Sequence, residues 1–381
     1  MDSKSDFLSE CHQRTRAIHT GYEPDPDIIQ PIHLSTTFQR EMHEKVGGYT
    51  RSGNPNRETL EKRLAMLERG HEAVAFSSGM AAINAVLEVT LKSGDHVIFP
   101  DDCYHGTRTL LKNIFSKKNI AVTEVDMTDA GNVASAILGT TRLIWIESPS
   151  NPQLKVTDIE AVADLAKKKN ILTACDSTFA TPLFQHPLQL GVDMVMHSTT
   201  KFLGGHSDIL GGVVVTGEAG ELPALLRLYQ NTAGAVPSPF DCWLLNRSLS
   251  TFALRVTSQA YNAMEISSFL SRHAAIEKVY YPGLSTHLNH EVAKRQMRGG
   301  FGGVLSILVK GGRGEAMAVI ERLQIVRHAT SLGGVESLIE HRRSAEGNIP
   351  VSADNLLRIS AGIEHHEDLI RDFAAALGRT K

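Results

Sequence analysis

The chain has 381 residues, 42% of them hydrophobic and 21% charged, with a formal net charge of −3. These values fit a globular protein large enough for two domains, and no basic run of the kind that binds nucleic acid or an anionic membrane stands out. The N-terminal residues lack the apolar core of a secretory signal, no apolar run has membrane-spanning length, and Cys11, Cys103, Cys175 and Cys242 form no CxxC pair, so a cytoplasmic protein without a zinc site or a disulfide framework is expected.

Residues 1 to about 50 read as irregular, with Pro24, Pro26 and Pro31 breaking any long helix. The turn-rich stretch Gly47 to Asn56 carries Tyr49 and Arg51. It is either an arm that presents a phenol and a guanidinium to a site or, more plainly, a polar surface loop. Thr59 to Glu68 has leucines at helical spacing. From there short apolar runs alternate with helical stretches. The runs are Ala73–Phe76, His96–Phe99, Ala121–Val125, Leu143–Ile146, Ile171–Cys175, Met194–Met196 and Gly212–Val215. Seven such strands joined by helices predict βαβ units and a mainly parallel seven-stranded sheet of the α/β class. The stretch Gly234 to Asp241 reads as a crossing into a second region. A long helix with Trp243, Leu249, Phe252 and Leu254 follows. Shorter elements come next, including strands at Val304–Val309 and Leu356–Ile359 and a helix at Ala316–Leu323.

In such sheets ligands sit beyond the carboxyl ends of the strands. Ser78, Gly79 and Met80 follow the first strand at a helix start, where backbone N–H groups favour a phosphate. Tyr104 follows the second strand and offers an aromatic face. Glu147 to Pro152 ends another strand and offers Asn151. Asp176 ends the strand after that, either as a partner for a pyridine nitrogen or as an ordinary turn carboxylate. Met194 to Met196 then runs into Ser198, Thr199, Thr200, Lys201 and the Gly204-Gly205 turn. A lysine there is either a solvated strand end or an amine that condenses with a carbonyl, and the hydroxyls beside it suit a phosphate. On that segment alone the two readings weigh about equally. Together with Asp176, Tyr104 and the helix start, they point to pyridoxal 5'-phosphate. Arg358, in the apolar strand near the C-terminus, needs an anion; an α-carboxylate and a structural ion pair both fit.

Taken together the motifs resemble a known family. Tyr49 to Pro55, Phe76 to Ala82, Asp101 to Tyr104, Glu147 to Pro152, Asp176 to Pro182, His197 to Asp208, Ser331 to Leu338 and Leu357 to Glu364 occur in order over nearly the whole chain. They closely resemble the trans-sulfuration (Cys/Met metabolism) family of pyridoxal-phosphate enzymes, which includes cystathionine γ-synthase, cystathionine β- and γ-lyases and methionine γ-lyase. The resemblance implies the aspartate-aminotransferase-like fold (PLP fold type I) with a smaller α/β C-terminal domain. It also implies a homotetramer built as a dimer of dimers. The corresponding division is an arm over residues 1–51, a cofactor-binding domain over 52–245 and a small domain over 246–381. It implies that Lys201 bonds the cofactor and then shuttles protons, that Asp176 holds the pyridinium, and that Tyr104 stacks on the ring. Gly79, Met80, Ser198 and Thr200 would hold the phosphate, joined by Tyr49 and Arg51 of a neighbouring subunit. Tyr49 would also assist proton transfer. Asn151, Ser331 and Arg358 would place a sulfur amino-acid substrate.

The chain departs from the family pattern where the distal end of the substrate is contacted. Thr330 stands where glutamate is common, Gly48 where an acidic residue is common, and Thr109 where arginine is common, with Arg108 one place earlier. His105 and Ser177 replace a usual glycine and asparagine. Arg108 or His105 is therefore a candidate for a charged distal group. The expected activity is a carbon–sulfur lyase acting on cystathionine, with γ-synthase next and methionine γ-lyase after it. Transamination and a non-catalytic cofactor-binding homologue are the readings from other classes.

Overall fold

The computed structural model describes residues 7–8, 10–20, 27–39, 48–346 and 351–378. Pro24, Pro26 and Gly47 lie outside the described residues. All seven expected strands form one sheet: β1 Glu72–Phe76, β2 His96–Pro100, β3 Ala121–Val125, β4 Thr141–Glu147, β5 Leu172–Asp176, β6 Met194–Ser198 and β7 Gly212–Thr216. Their order is β1-β7-β6-β5-β4-β2-β3. Pairing is parallel from β3 through to β6, whereas β7 runs antiparallel to both β6 and β1. The sheet is thus mixed at one side. The reason is local: β7 follows β6 through the Lys201 loop, which forms no helix of the kind that usually carries a crossover to a parallel neighbour.

Both faces of the sheet are covered, which is why its strands read as continuous apolar runs rather than alternating ones. Val74, Phe76, Phe99, Trp145, Met194 and Met196 pack on one face with the helix Gly79–Thr90. Ile98, Ile144, Ile146, Cys175 and Val195 pack on the other with the helix Ile159–Lys167. The helix Pro55–Leu67 begins four residues before the predicted start. Asn54 caps it and Pro55 occupies its first turn, where a missing N–H costs nothing.

The second region holds a five-stranded sheet ordered β10-β11-β12-β9-β8. Its strands are β8 Ile276–Tyr280, β9 Val304–Val309, β10 Arg327–His328, β11 Leu338–His341 and β12 Leu356–Ser360. Strands β9 and β12 were legible in the sequence. Strand β8 was not, since Glu277 and Lys278 are exposed and interrupt its apolar pattern. Two expectations are corrected. The early segment is not wholly irregular: Gln13–His19 is a helix. The single long helix is two, Pro239–Leu249 and Phe252–Leu270, divided at Ser250 and Thr251.

Arg255 bridges that break to the site. Its buried guanidinium donates to the carbonyls of Phe202 at 2.9 Å, Leu203 at 3.3 Å and Ser248 at 2.9 Å. Burial lowers its pKa to about 10, so it stays charged at neutral pH. One side chain therefore fastens the loop after Lys201 to the helix junction. Arg255→Ala strands the carbonyls of Phe202 and Leu203, each worth about 1–3 kcal/mol, whereas that of Ser248 keeps the Thr251 N–H at 3.2 Å. Urea unfolding of this variant is expected to show a loss of at least about 2 kcal/mol; a loss below about 1 kcal/mol would contradict the assigned role.

Candidate active site

The carboxyl ends of β4, β5 and β6 meet in adjacent register. Glu147 stands opposite Asp176, and Asp176 opposite Met196, two residues before Ser198. Here a cavity of about 190 Å3 opens, lined by Ser78, Gly79, Met80, Tyr104, Glu147, Asn151, Asp176, Ser198, Thr200, Lys201, Ser331, Arg342 and Arg358, among others. The first sheet and its loops supply most of the wall. The second region supplies Thr330 to Leu332, Arg342 and Arg358.

Glu147 organises one wall. Both its oxygens accept the backbone N–H of Tyr104, at 3.0 and 2.9 Å, and one also accepts that of Asn151 at 2.9 Å. Burial raises the Glu147 pKa well above the ordinary carboxylate range, and the neighbouring Asp176 charge raises it further. Burial also raises the Asp176 pKa, opposed by hydrogen bonds from Thr178, whose N–H donates at 3.0 Å, and by His197. A cationic ring N–H placed at Asp176 would favour its ionised form.

The Lys201 amine donates to the Ser331 hydroxyl at 2.9 Å. Its pKa falls to about 8, first through burial and then through the Arg358 charge, with Glu340 opposing. Arg358 is fixed by Asn151 Oδ1 at 3.1 Å, the Ser331 carbonyl at 3.2 Å and Glu340 at 2.7 Å. Burial and the Arg342 charge lower its pKa to about 10, which leaves it cationic at neutral pH. Glu340 is pulled the other way. Burial would raise its pKa, but Arg358 and Arg342 together hold it below the ordinary value.

The residues fit pyridoxal phosphate at each of its three functional parts. At the phosphate end, Ser78 caps the helix Gly79–Thr90 by accepting the Ala81 N–H, and the other first-turn N–H groups have no partner within the helix. A Cβ at Gly79 would lie 3.0 Å from the Ser198 side chain, filling the cradle. At the ring nitrogen stands the buried carboxylate of Asp176. At the aldehyde stands a lysine of lowered pKa.

The structure therefore brings Gly79, Met80, Tyr104, Asn151, Asp176, Ser198, Thr200, Lys201, Ser331 and Arg358 to one cavity. It does not bring Tyr49 and Arg51 there within one chain. Tyr49 is 47% exposed, and Arg51 donates to Asn231 at 3.3 Å. Nor do Arg108 and His105 line the cavity. Arg108 is taken up by Glu124 at 2.8 Å and by the Asp101 carbonyl. Sequence reasoning missed two wall residues. Glu147 was marked only as part of a strand-ending motif. Arg342 lies in a charged stretch with no local signal, and only the pairing of β11 with β12 brings it beside Arg358. Among the described residues, no cluster of His, Cys, Asp and Glu could hold a metal ion, and no helix is long and apolar enough to cross a membrane.

Comparison with known proteins agrees with this geometry. The family described as Cys/Met metabolism PLP-dependent enzyme matches residues 14–378. Cystathionine gamma-synthase of Mycobacterium leprae is 46% identical over 374 residues, 95% of this chain and 96% of its own. Cystathionine beta-lyase of Coxiella burnetii is 43% identical over 382 residues, 97% of this chain and 98% of its own. The crystal structure of metB from Corynebacterium glutamicum superposes with a TM-score of 0.94 at 41% identity, covering 97% of this chain and 98% of that one.

The lowered pKa of Lys201 is directly measurable. Its free amine predominates above about pH 8, whereas an unfolded lysine holds its proton up to its ordinary value of 10.5. Between these values the unfolded chain binds the extra proton, so this group's contribution to stability increases as pH rises. In the cofactor-free protein, the rate of amine labelling at Lys201, read by peptide mass, should rise with a midpoint near pH 8. A midpoint above pH 10 would contradict the arrangement.

Proposed function

Since this chain belongs to the family of Cys/Met metabolism PLP-dependent enzymes, we propose that it acts on the carbon–sulfur bond of cystathionine, as a lyase. The observation that carries this reading is the convergence on one cavity of a lysine of lowered pKa, a buried aspartate and a guanidinium suited to an α-carboxylate. A second reading, γ-replacement of an acyl-homoserine by cysteine, is favoured by the name of the 46%-identical relative.

In this reading Asp176, Tyr104, the helix start at Gly79 and Met80, and the hydroxyls of Ser198 and Thr200 hold the cofactor. Bound pyridoxal phosphate supplies an electron sink for the carbanion formed when a substrate loses its α-proton. Arg358 binds the α-carboxylate through its planar fork, and Asn151 keeps that fork in place. With the carboxylate fixed, the Cα–H bond is presented to Lys201, whose free amine takes the proton. The Ser331 hydroxyl, 2.9 Å from Nζ, orients that amine. Lys201 can then return the proton or deliver it to the departing sulfur.

The site is completed by a second copy of this chain. Tyr49 and Arg51 lie on an exposed segment of their own subunit, and in this reading they reach the neighbour's cavity, where Arg51 meets the phosphate and the Tyr49 phenol relays a proton. The assembly is a dimer of such dimers. The division into an arm over residues 1–51, a cofactor domain over 52–245 and a small domain over 246–381 belongs to the same reading, as does a cytoplasmic location.

Product analysis with purified holoenzyme and L-cystathionine tests the proposal. Pyruvate with homocysteine establishes β-elimination, and 2-oxobutyrate with cysteine establishes γ-elimination. Cystathionine formed from an acyl-homoserine and cysteine, without keto acid from cystathionine, establishes the synthase instead. Lys201→Ala should lower any of these rates by at least about 1,000-fold; substantial turnover in that variant would refute the assignment.

A further inference from the structure

Two guanidiniums line the cavity, and the proposed reaction uses one. Arg342 opens the short helix Arg342–Ala345, directly after β11, and its side chain is as buried as that of Arg358, each close to one-twentieth exposed. A buried guanidinium needs an acceptor for each of its N–H groups, and Arg342 is incompletely supplied. Its strongest partner is Glu340 Oε2 at 2.5 Å, and that same oxygen also receives Arg358 at 2.7 Å. Its other carboxylate, Glu346, stands off at 3.9 Å and is engaged by the Ser352 hydroxyl and the N–H groups of Val351 and Ser352. The buried Arg342 Nε has no hydrogen-bond partner among the described residues. Arg342 lines the same cavity as Tyr104, and its charge, with that of Arg358, lowers the pKa of the Tyr104 phenol against the rise that burial causes. No other arginine lines the cavity among the described residues besides Arg358.

We propose that Arg342 is a specificity-determining residue: its guanidinium receives a second carboxylate, carried at the far end of the substrate, so the pocket selects dicarboxylic over monocarboxylic side chains. The inference rests on the proposed reading of Arg358 as the α-carboxylate site. One amino acid with two carboxylates then engages both guanidiniums, and Thr330 beside them presents no opposing charge. Arg108, the arginine nearest to this role in sequence, is committed to Glu124.

The test compares two esters of homoserine that differ only at the far end, O-succinyl and O-acetyl, with the holoenzyme and with Arg342→Gln. The wild type should favour the succinyl ester in kcat/KM by about tenfold or more, chiefly through KM, and the variant should lose most of that ratio. Equal use of both esters by the wild type, or an unchanged ratio in Arg342→Gln, overturns the proposal. Arg342→Lys, which keeps the charge and loses the fork, should restore part of the ratio, a result that a purely structural role does not produce. If neither ester is turned over, the γ-replacement reading is what has failed, not the lyase reading, and equilibrium binding still decides the inference. Glutarate should raise the thermal midpoint of the wild-type holoenzyme more than butyrate does, and Arg342→Gln should erase the difference. Equal shifts by glutarate and butyrate in the wild type would overturn it.

Discussion

The site depends on the burial of two carboxylates side by side. Glu147 and Asp176 face one another across β4 and β5, both nearly without solvent. Isolated carboxylates at such a place are costly, so each must be satisfied by donors or by a cation. Glu147 is satisfied by the backbone of Tyr104 and Asn151, and in being satisfied it fixes where those two residues stand. Asp176 is held by Thr178 and also lines the cavity, where a cation would favour its ionised form. The same requirement holds at the opposite wall, where Glu340 is shared between two arginines.

These constraints join the two regions of the chain. Asn151, ordered by Glu147 in the first sheet, accepts a hydrogen bond from Arg358 in the second. Ser331, from the loop between β10 and β11, receives the Lys201 amine and offers its carbonyl to Arg358. Arg255 ties the loop that carries Lys201 to the helix junction behind it. A lysine held this way, beside a guanidinium and away from water, loses its proton more easily than a solvated one. Its chemistry follows from where the fold puts it.

Much of this was legible in the sequence because the large sheet is covered on both faces. Runs such as Leu143 to Ile146 and Met194 to Met196 are apolar throughout and mark strands whatever their neighbours. The residues just beyond them were then the natural site candidates, and ten of those named meet at the cavity. What was hidden depends on pairing between distant segments. Strand β8 has exposed charges in its middle. The antiparallel course of β7 is a property of its connection, not of its composition. Arg342 becomes part of the wall only because β11 lies against β12. Tyr49 and Arg51 do not line the cavity of the chain that carries them.

The central claim is that the cavity at the ends of β4, β5 and β6 holds pyridoxal phosphate through Lys201. Borohydride reduction of the cofactor-loaded protein, followed by peptide mass analysis, tests it most directly. The account predicts one phosphopyridoxyl group per chain, on Lys201. Stoichiometric labelling of another lysine, with Lys201 unmodified, would contradict it.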